Sequence, residues 1–315
     1  MLKHPFAVGV FWSFASAFLW GTTYIAGRAL MRSDSVDPVT MSILRFSVAG
    51  LLMWVVGLKL YGSRMFDFSR RDFLLMLAQG TVGMAGMSFL IFWGQRYTTA
   101  VNSSMIMTAT PVMTMLGGAL LGSKVRPIQY AGMAVATAGC FMVIKVIEPT
   151  GLHLAAFSLG DLLTFGAAVC WAVYSLWGRE TVRRVGGYIY TTYVMLGALP
   201  LLLVLEAINF RAIQMPQSFL SWAVVGYIIL FPTAGAFFAW NQAQRLIDLS
   251  LLNIMQYLTP VTVLALSWPI LGEGVSLFQL AGALLVIFGV GIDPALLEEW
   301  KRRRAKSCST PPITP

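Results

Sequence analysis

Ten apolar stretches follow one another along the chain, at about residues 6–28, 38–59, 72–94, 99–121, 127–147, 159–179, 187–207, 218–241, 249–271 and 276–293. Each approaches the ~20 residues that a helix needs to cross a bilayer. Charged or turn-forming residues separate most of them: Asp37-Pro38, Ser69-Arg70-Arg71, Lys124, Arg126-Pro127, Glu148-Pro149, Arg183-Arg184 and Met215-Pro216. The ninth and tenth are divided only by Gly272-Glu273-Gly274. Ala15-Ser16-Ala17 resembles a signal-peptide cleavage site, but the apolar run continues to Ala26, so the first stretch reads as an uncleaved helix.

Composition agrees. Of 315 residues, 57% are hydrophobic and 11% charged, against about 25% charged in soluble domains. The excess apolar surface must face lipid, and the pattern predicts an all-α integral membrane protein with ten transmembrane helices. Cys140, Cys170 and Cys308 are scattered, without disulfide or zinc spacing. His4 and His153 lie apart and outside the long apolar runs. No HExxH, P-loop or nucleophile-elbow pattern occurs, so no catalytic residue, metal or cofactor is expected.

The net charge of +9 takes its meaning from where the charges fall. With a cytoplasmic N-terminus, sixteen of the 22 basic residues flank spans on the cytoplasmic side, among them Arg70, Arg71, Arg183, Arg184 and the tail Lys301 to Lys306. Only Arg28, Arg32, Arg96, Lys145 and Arg211 fall outside, and Arg45 lies within a span. The positive-inside rule therefore puts both termini in the cytoplasm. The basic tail, 294–315, reads as a flank meeting anionic lipid headgroups rather than nucleic acid.

The chain also echoes itself. Gln95-Arg96 answers Gln244-Arg245, and Thr110-Pro111-Val112 answers Thr259-Pro260-Val261. Gln129, Ala131, Gly132 and Gly139 answer Gln279, Ala281, Gly282 and Gly289, while Trp20, Gly27 and Arg28 answer Trp171, Gly178 and Arg179. The chain thus reads as two five-helix units, 6–147 and 158–293. Five is odd, so the second unit starts on the opposite side and is inverted. Inverted repeats are characteristic of secondary transporters, with the substrate site near the midplane between the repeats.

"FLWGTTYIAGRAL", Pro38 and "LRFSVAGLL" resemble the first two helices of an EamA domain, and "LTPVTVLALSWPILGEGVSLFQLAGALLVIFGV" resembles the last two. The likeness to the ten-helix EamA branch of the drug/metabolite transporter superfamily extends over residues 6–293. The first copy departs from it, with Leu121-Gly122-Ser123 where the pattern has an acid; the acid occurs only as Glu273. The resemblance implies export, less often uptake, of small polar or amphipathic metabolites, amino acids included. Ala239-Trp240-Asn241, followed by Tyr257 to Val261, is similar to the aromatic amino-acid exporters of the group.

Substrate-binding candidates come from polar and aromatic residues at depth. Pro111 and Pro260 fall near the middle of spans four and nine. A proline there bends the helix and frees a carbonyl, at Met107 and Gln256. Such a break is tolerated in lipid only where water or protein satisfies it. Two bent helices would then line a hydrated midplane cavity; packing shape alone is the alternative. Gln79, Asn102, Asn241, Asn253 and Gln256 place amides in or near hydrocarbon, for substrate or for helix-to-helix hydrogen bonds. Trp20 and Trp171, with Tyr24 and Tyr174 a turn further on, are too central for lipid anchors. They read as bundle packing or as cavity walls that stack on a flat or apolar substrate. Trp240 joins them in the second half. Arg45 could clamp a carboxylate or hold helices together; the resemblance, which carries an arginine there whatever the substrate, favours the second role. No acid is central in a span, with Asp161, Glu206 and Asp293 at span ends, so no relay for ion coupling is visible. The glycine pairs predict close packing of spans five and ten.

The leading reading is an exporter of amino acids or related small metabolites working by alternating access. An uptake carrier for a sugar- or nucleotide-type metabolite is the alternative. A membrane-embedded enzyme would need a His, Asp or Glu cluster at one face, and a receptor or scaffold would leave the inverted repeat unexplained. The partners expected are a small-molecule substrate and membrane lipid, not nucleic acid. The sequence does not choose between monomer and homodimer.

Overall fold

Helix signals in the sequence place the elements. The Asp37 carboxylate accepts from the Val39 and Thr40 amides at 2.9 and 3.0 Å, opening the second helix. Ser158 and Asp161 form a reciprocal capping box that opens a helix of 27 residues. The computed structural model describes residues 5–33, 35–120, 127–143, 147–148, 151–152, 158–208, 215–247, 252, 255–256, 258–272 and 274–291. The helices are α1 (Pro5–Arg32), α2 (Pro38–Tyr61), α3 (Arg70–Gln79), α4 (Met87–Gly94), α5 (Ala100–Met107), α6 (Thr110–Leu120) and α7 (Pro127–Val143). Then come α8 (Leu159–Val185), α9 (Gly187–Gly197), α10 (Leu199–Ile208), α11 (Phe219–Ile228), α12 (Ala236–Leu246), α13 (Leu258–Leu271) and α14 (Leu277–Gly291). A hairpin of two-residue strands pairs Ile147 with Leu152 and Glu148 with Gly151.

Six stretches among the described residues are long and apolar enough to cross a membrane: Phe6–Arg32, Pro38–Phe66, Arg70–Gly94, Leu159–Gly178, Gly187–Ile208 and Phe219–Ala243. The apolar helices at 258–271 and 277–289 are shorter. The stretch expected as one span over 99–121 is divided by a turn at Thr108-Ala109.

Two of the long helices carry a feature the sequence pattern did not predict. Gly80–Gly86 joins α3 to α4, and Ile229–Gly235 joins α11 to α12, each as a wider π-helical turn. The two lie at the same separation as Pro111 and Pro260. In the second, Pro232 deprives the Ile228 carbonyl of its usual donor, and the Thr233 hydroxyl fills the gap at 2.8 Å.

The long helices pair across the two halves. α8 runs beside α3–α4 for its full length. Arg184 reaches Asp72 at one end, a Cβ on Gly83 would touch the Tyr174 ring at 2.5 Å in the middle, and one on Gly94 would meet the Gly160 oxygen at 2.8 Å at the other. α1 pairs likewise with α11–α12. Trp12 packs edge-on to Phe238 at 5.7 Å, and the Tyr227 hydroxyl donates to Thr22 Oγ1 at 2.7 Å. The helices that end the two halves, α7 and α14, pack against each other as the glycine spacing predicted. A Cβ on Gly139 would lie 2.6 Å from the Gly282 oxygen and 2.8 Å from the Val286 nitrogen.

Candidate functional site

Where the two cross-half pairs meet, aromatic rings converge. Trp20 on α1 lies edge-to-face on Trp171 of α8, with centroids 5.7 Å apart. It also packs on Phe237 at 5.2 Å and on Trp240 at 5.4 Å, both on α12. Trp171 continues to Phe237 at 5.9 Å and to Tyr174 at 5.1 Å, and Tyr174 to Tyr190 of α9 at 5.8 Å. The structure therefore brings Trp20, Trp171, Tyr174 and Trp240 together. The tryptophans touch directly rather than standing apart as walls of an open cavity. Phe237 and Tyr190 complete the cluster, and nothing in their sequence context marked them among 20 phenylalanines and 10 tyrosines. Tyr24, one turn beyond Trp20, is buried.

The prolines need correction. Neither Pro111 nor Pro260 interrupts a helix. Pro111 is the second residue of α6 and Pro260 the third of α13, positions whose amides have no intrahelical acceptor to lose. Before Pro111 the chain turns, with Thr108 and Ala109 amides bonded to Met105 and Ile106 carbonyls, both at 3.0 Å. Before Pro260 the Gln256 carbonyl accepts from the Thr259 amide at 2.9 Å, so it is not free. The expected mid-helix break with a rescued carbonyl does exist, at Pro232. Pro260→Ala should accordingly shift stability by no more than about 1 kcal/mol. Relief of a true interior proline would raise it by about 3 kcal/mol. Thermal unfolding in detergent separates the two.

The amides are tied to different helices. Gln79 is fully buried and donates to the Trp177 carbonyl on α8 at 3.1 Å. Gln256 donates to Ser16 Oγ on α1 at 3.2 Å. Asn102 sits in the first turn of α5, where its backbone amide donates to the Thr99 hydroxyl oxygen at 3.1 Å. Asn241 donates to the Thr191 hydroxyl of α9. Asn253 and the Pro111 side chain lie outside the described residues.

Asn241 also lines a cavity of about 270 Å³, with Met53, Tyr61, Tyr188, Phe238 and Gln242. The cavity forms where α8 passes to α9 with no loop, a turn that the left-handed Gly186 (φ 87°) makes possible. Along α11–α12 the site is stepped. Asn241 faces the cavity, Phe237 the ring cluster, and Thr233, one turn further, accepts at 2.7 Å from Nε of Arg45.

Among the described residues, outside which Asp293 lies, the acids occupy helix ends as their sequence positions suggested. Asp161 is buried at the start of α8 and accepts from Thr98 Oγ1 at 2.5 Å. Glu206 accepts from Thr40 Oγ1 at 3.0 Å. Asp72 takes Nε and Nη2 of Arg184 at 3.0 and 2.7 Å. This last pair ties α3 to the end of α8 and is exposed enough to be screened. Asp72→Asn should lower the unfolding midpoint at low ionic strength, with the difference shrinking in ~1 M salt. The exchange Asp72→Arg with Arg184→Asp should recover part of the loss.

Comparison with known proteins decides the family. The profile of the EamA-like transporter family matches residues 7–145 and again 158–292. The chain belongs to that family. Among curated relatives, the "Uncharacterized transporter YyaM" of Bacillus subtilis is 27% identical, over 81% of this chain and 83% of its own. The "Probable terminal-alkyne amino-acid exporter" of Streptantibioticus cattleyicolor is 27% identical over 93% and 94%. The "Uncharacterized inner membrane transporter YedA" of Escherichia coli K12 is 26% identical over 88% and 87%. A solved crystal structure aligns with 93% of this chain and 99% of its own at a TM-score of 0.67 and 21% identity, which shows a shared fold. This EamA-like protein is thus a multi-pass membrane transporter of a small molecule and not an enzyme.

Proposed function

We propose that the protein exports amino acids or related small metabolites by alternating access. In this reading ten spans form two inverted five-helix repeats, 6–147 and 158–293, with both termini and the 294–315 tail cytoplasmic. The observation that carries it is the meeting of Trp20 and Trp171 at the junction of two helix pairs, each built from both halves. Rocking of one pair against the other would part these rings and open a path on alternate sides. The matching π-helical turns, at Gly80–Gly86 and Ile229–Gly235, support equivalent roles for the helices that carry them. The basic residues support the orientation. The Streptantibioticus cattleyicolor relative, named as a probable amino-acid exporter, supports the substrate class.

The test is overexpression in cells challenged with a panel of toxic amino-acid analogues. Export predicts tolerance to at least one, and lower accumulation of that analogue inside the cell. Increased sensitivity would mark uptake instead. Reporter fusions after Thr150 and after Pro315 should fall on opposite sides of the membrane, and a same-side result would break the five-plus-five scheme.

A further inference from the structure

Arg45 is a guanidinium two turns into a membrane-spanning helix, 3% exposed. A buried cation in lipid ordinarily has a counter-charge. Among the described residues no carboxylate meets it. Among the described residues only its Nε–H is hydrogen-bonded, to the neutral hydroxyl of Thr233, which in turn donates to the Ile228 carbonyl. Its carbon lies 5.2 Å from the Phe46 ring centroid and 5.8 Å from that of Phe92. Rings over the face of a guanidinium offset part of its burial cost but leave the N–H fork at its edge free.

Its place is as telling as its lack of a counter-charge among the described residues. Thr233 belongs to the helix pair that holds α1, and Phe92 to the pair that holds α8, so Arg45 sits at the same junction as the ring cluster. Two routes measure the distance. Tyr24, within electrostatic reach of Arg45, is one turn along α1 from Trp20. Thr233 is one turn along its helix from Phe237. Each step is about 6 Å. The open cavity at Asn241 lies on the far side of the rings from the cation.

We propose that Arg45 is the carboxylate site of the transported molecule: the substrate is a small carboxylic acid whose acid group pairs with the Arg45 fork while its body lies against Trp20, Trp171 and Phe237. The proposal rests on the transport reading above and narrows it, since an amino acid lacking its free carboxylate would not be carried well. A planar carboxylate matches the guanidinium fork, and the pair is strongest where water is excluded.

The experiment uses purified protein in vesicles of phosphatidylethanolamine and phosphatidylglycerol. Counterflow of labelled phenylalanine, methionine and threonine is measured against competition by each free acid and by its carboxamide, which keeps the amine and side chain but not the negative charge. For the wild type, the amide of a carried acid should compete at least about tenfold more weakly than the acid. Arg45→Gln should bring the two within about threefold, and Arg45→Lys should keep part of the preference. Equal competition by acid and amide in the wild type overturns the carboxylate site while leaving transport intact, and needs no variant to fold. A preference for the acid that survives in Arg45→Gln overturns it too. No counterflow with any of the three overturns both the amino-acid reading and the site.

Discussion

Trp20→Ala should raise the substrate concentration for half-maximal flux at least tenfold and remove about 3–5 kcal/mol of stability. Trp20 is the hub of the cluster, in contact with Trp171, Phe237 and Trp240 at centroid distances of 5.2–5.7 Å. Each such pair contributes about 0.5–1.5 kcal/mol beyond its buried area. Removing the hub withdraws three pairs at once and leaves a gap where the two helix pairs close on each other. Trp20→Phe keeps a ring, and should stay within about threefold of the wild type in flux. Flux must be normalised to folded protein, since the alanine variant loses stability as well. Unchanged half-saturation in the folded fraction would reduce the cluster to packing.

The second large effect is expected at Gly80, the first residue of the π-helical turn after α3. A Cβ there would lie 2.8 Å from the Gly197 carbonyl carbon and 3.0 Å from the Ala198 nitrogen, and would press on the Val194 oxygen. All three atoms are backbone at the junction of α9 and α10, so no rotamer change can make room. Gly80→Ala should cost about 3 kcal/mol, the upper end for overpacking. Gly226, in α11, offers the control. A Cβ there meets nothing within 4 Å, and Gly226→Ala should gain about 0.5–1 kcal/mol from lower chain entropy. Thermal midpoints of both variants in one detergent check the contrast. Equal midpoints would mean that the close crossing of α3 over α9–α10 is not maintained in solution.

The sequence was most informative where two copies of a signal could be compared. Trp20 and Trp171 stood out because each occurs at the same place in its half, and they meet. Gly139 and Gly282 stood out by the same argument, and their helices pack. It was least informative where a feature leaves the apolar pattern unchanged. A π-helical turn shifts the helix face by one residue, which is invisible when almost every neighbour is apolar, as in Gly80–Gly86 or Ile229–Gly235, where a single threonine is the one polar side chain. Pro111 and Pro260 were misplaced for a related reason. An unbroken apolar run reads as an unbroken helix, although the chain turns at Thr108-Ala109 and α13 begins only at Leu258. Pro232, which does interrupt a helix, has no proline in the other copy to draw attention to it. The missing counter-charge of Arg45 was unreadable for a different reason, since the lack of a carboxylate nearby among the described residues is a property of folded space and not of spacing.

The seam between α7 and α14 bears on how the protein is made. Its tightest contact joins Gly139 to the backbone of Gly282 and Val286, so most of the second half of the chain must be synthesised between them. At ~5–20 residues per second this takes roughly 7–30 seconds. Throughout that interval the glycine face of α7 lacks the backbone contact that glycine permits. The first half is therefore not a finished module when it leaves the ribosome. The contact of α7 is completed by the 15-residue α14 of the other half, and a premature stop before residue 277 would leave it unmade.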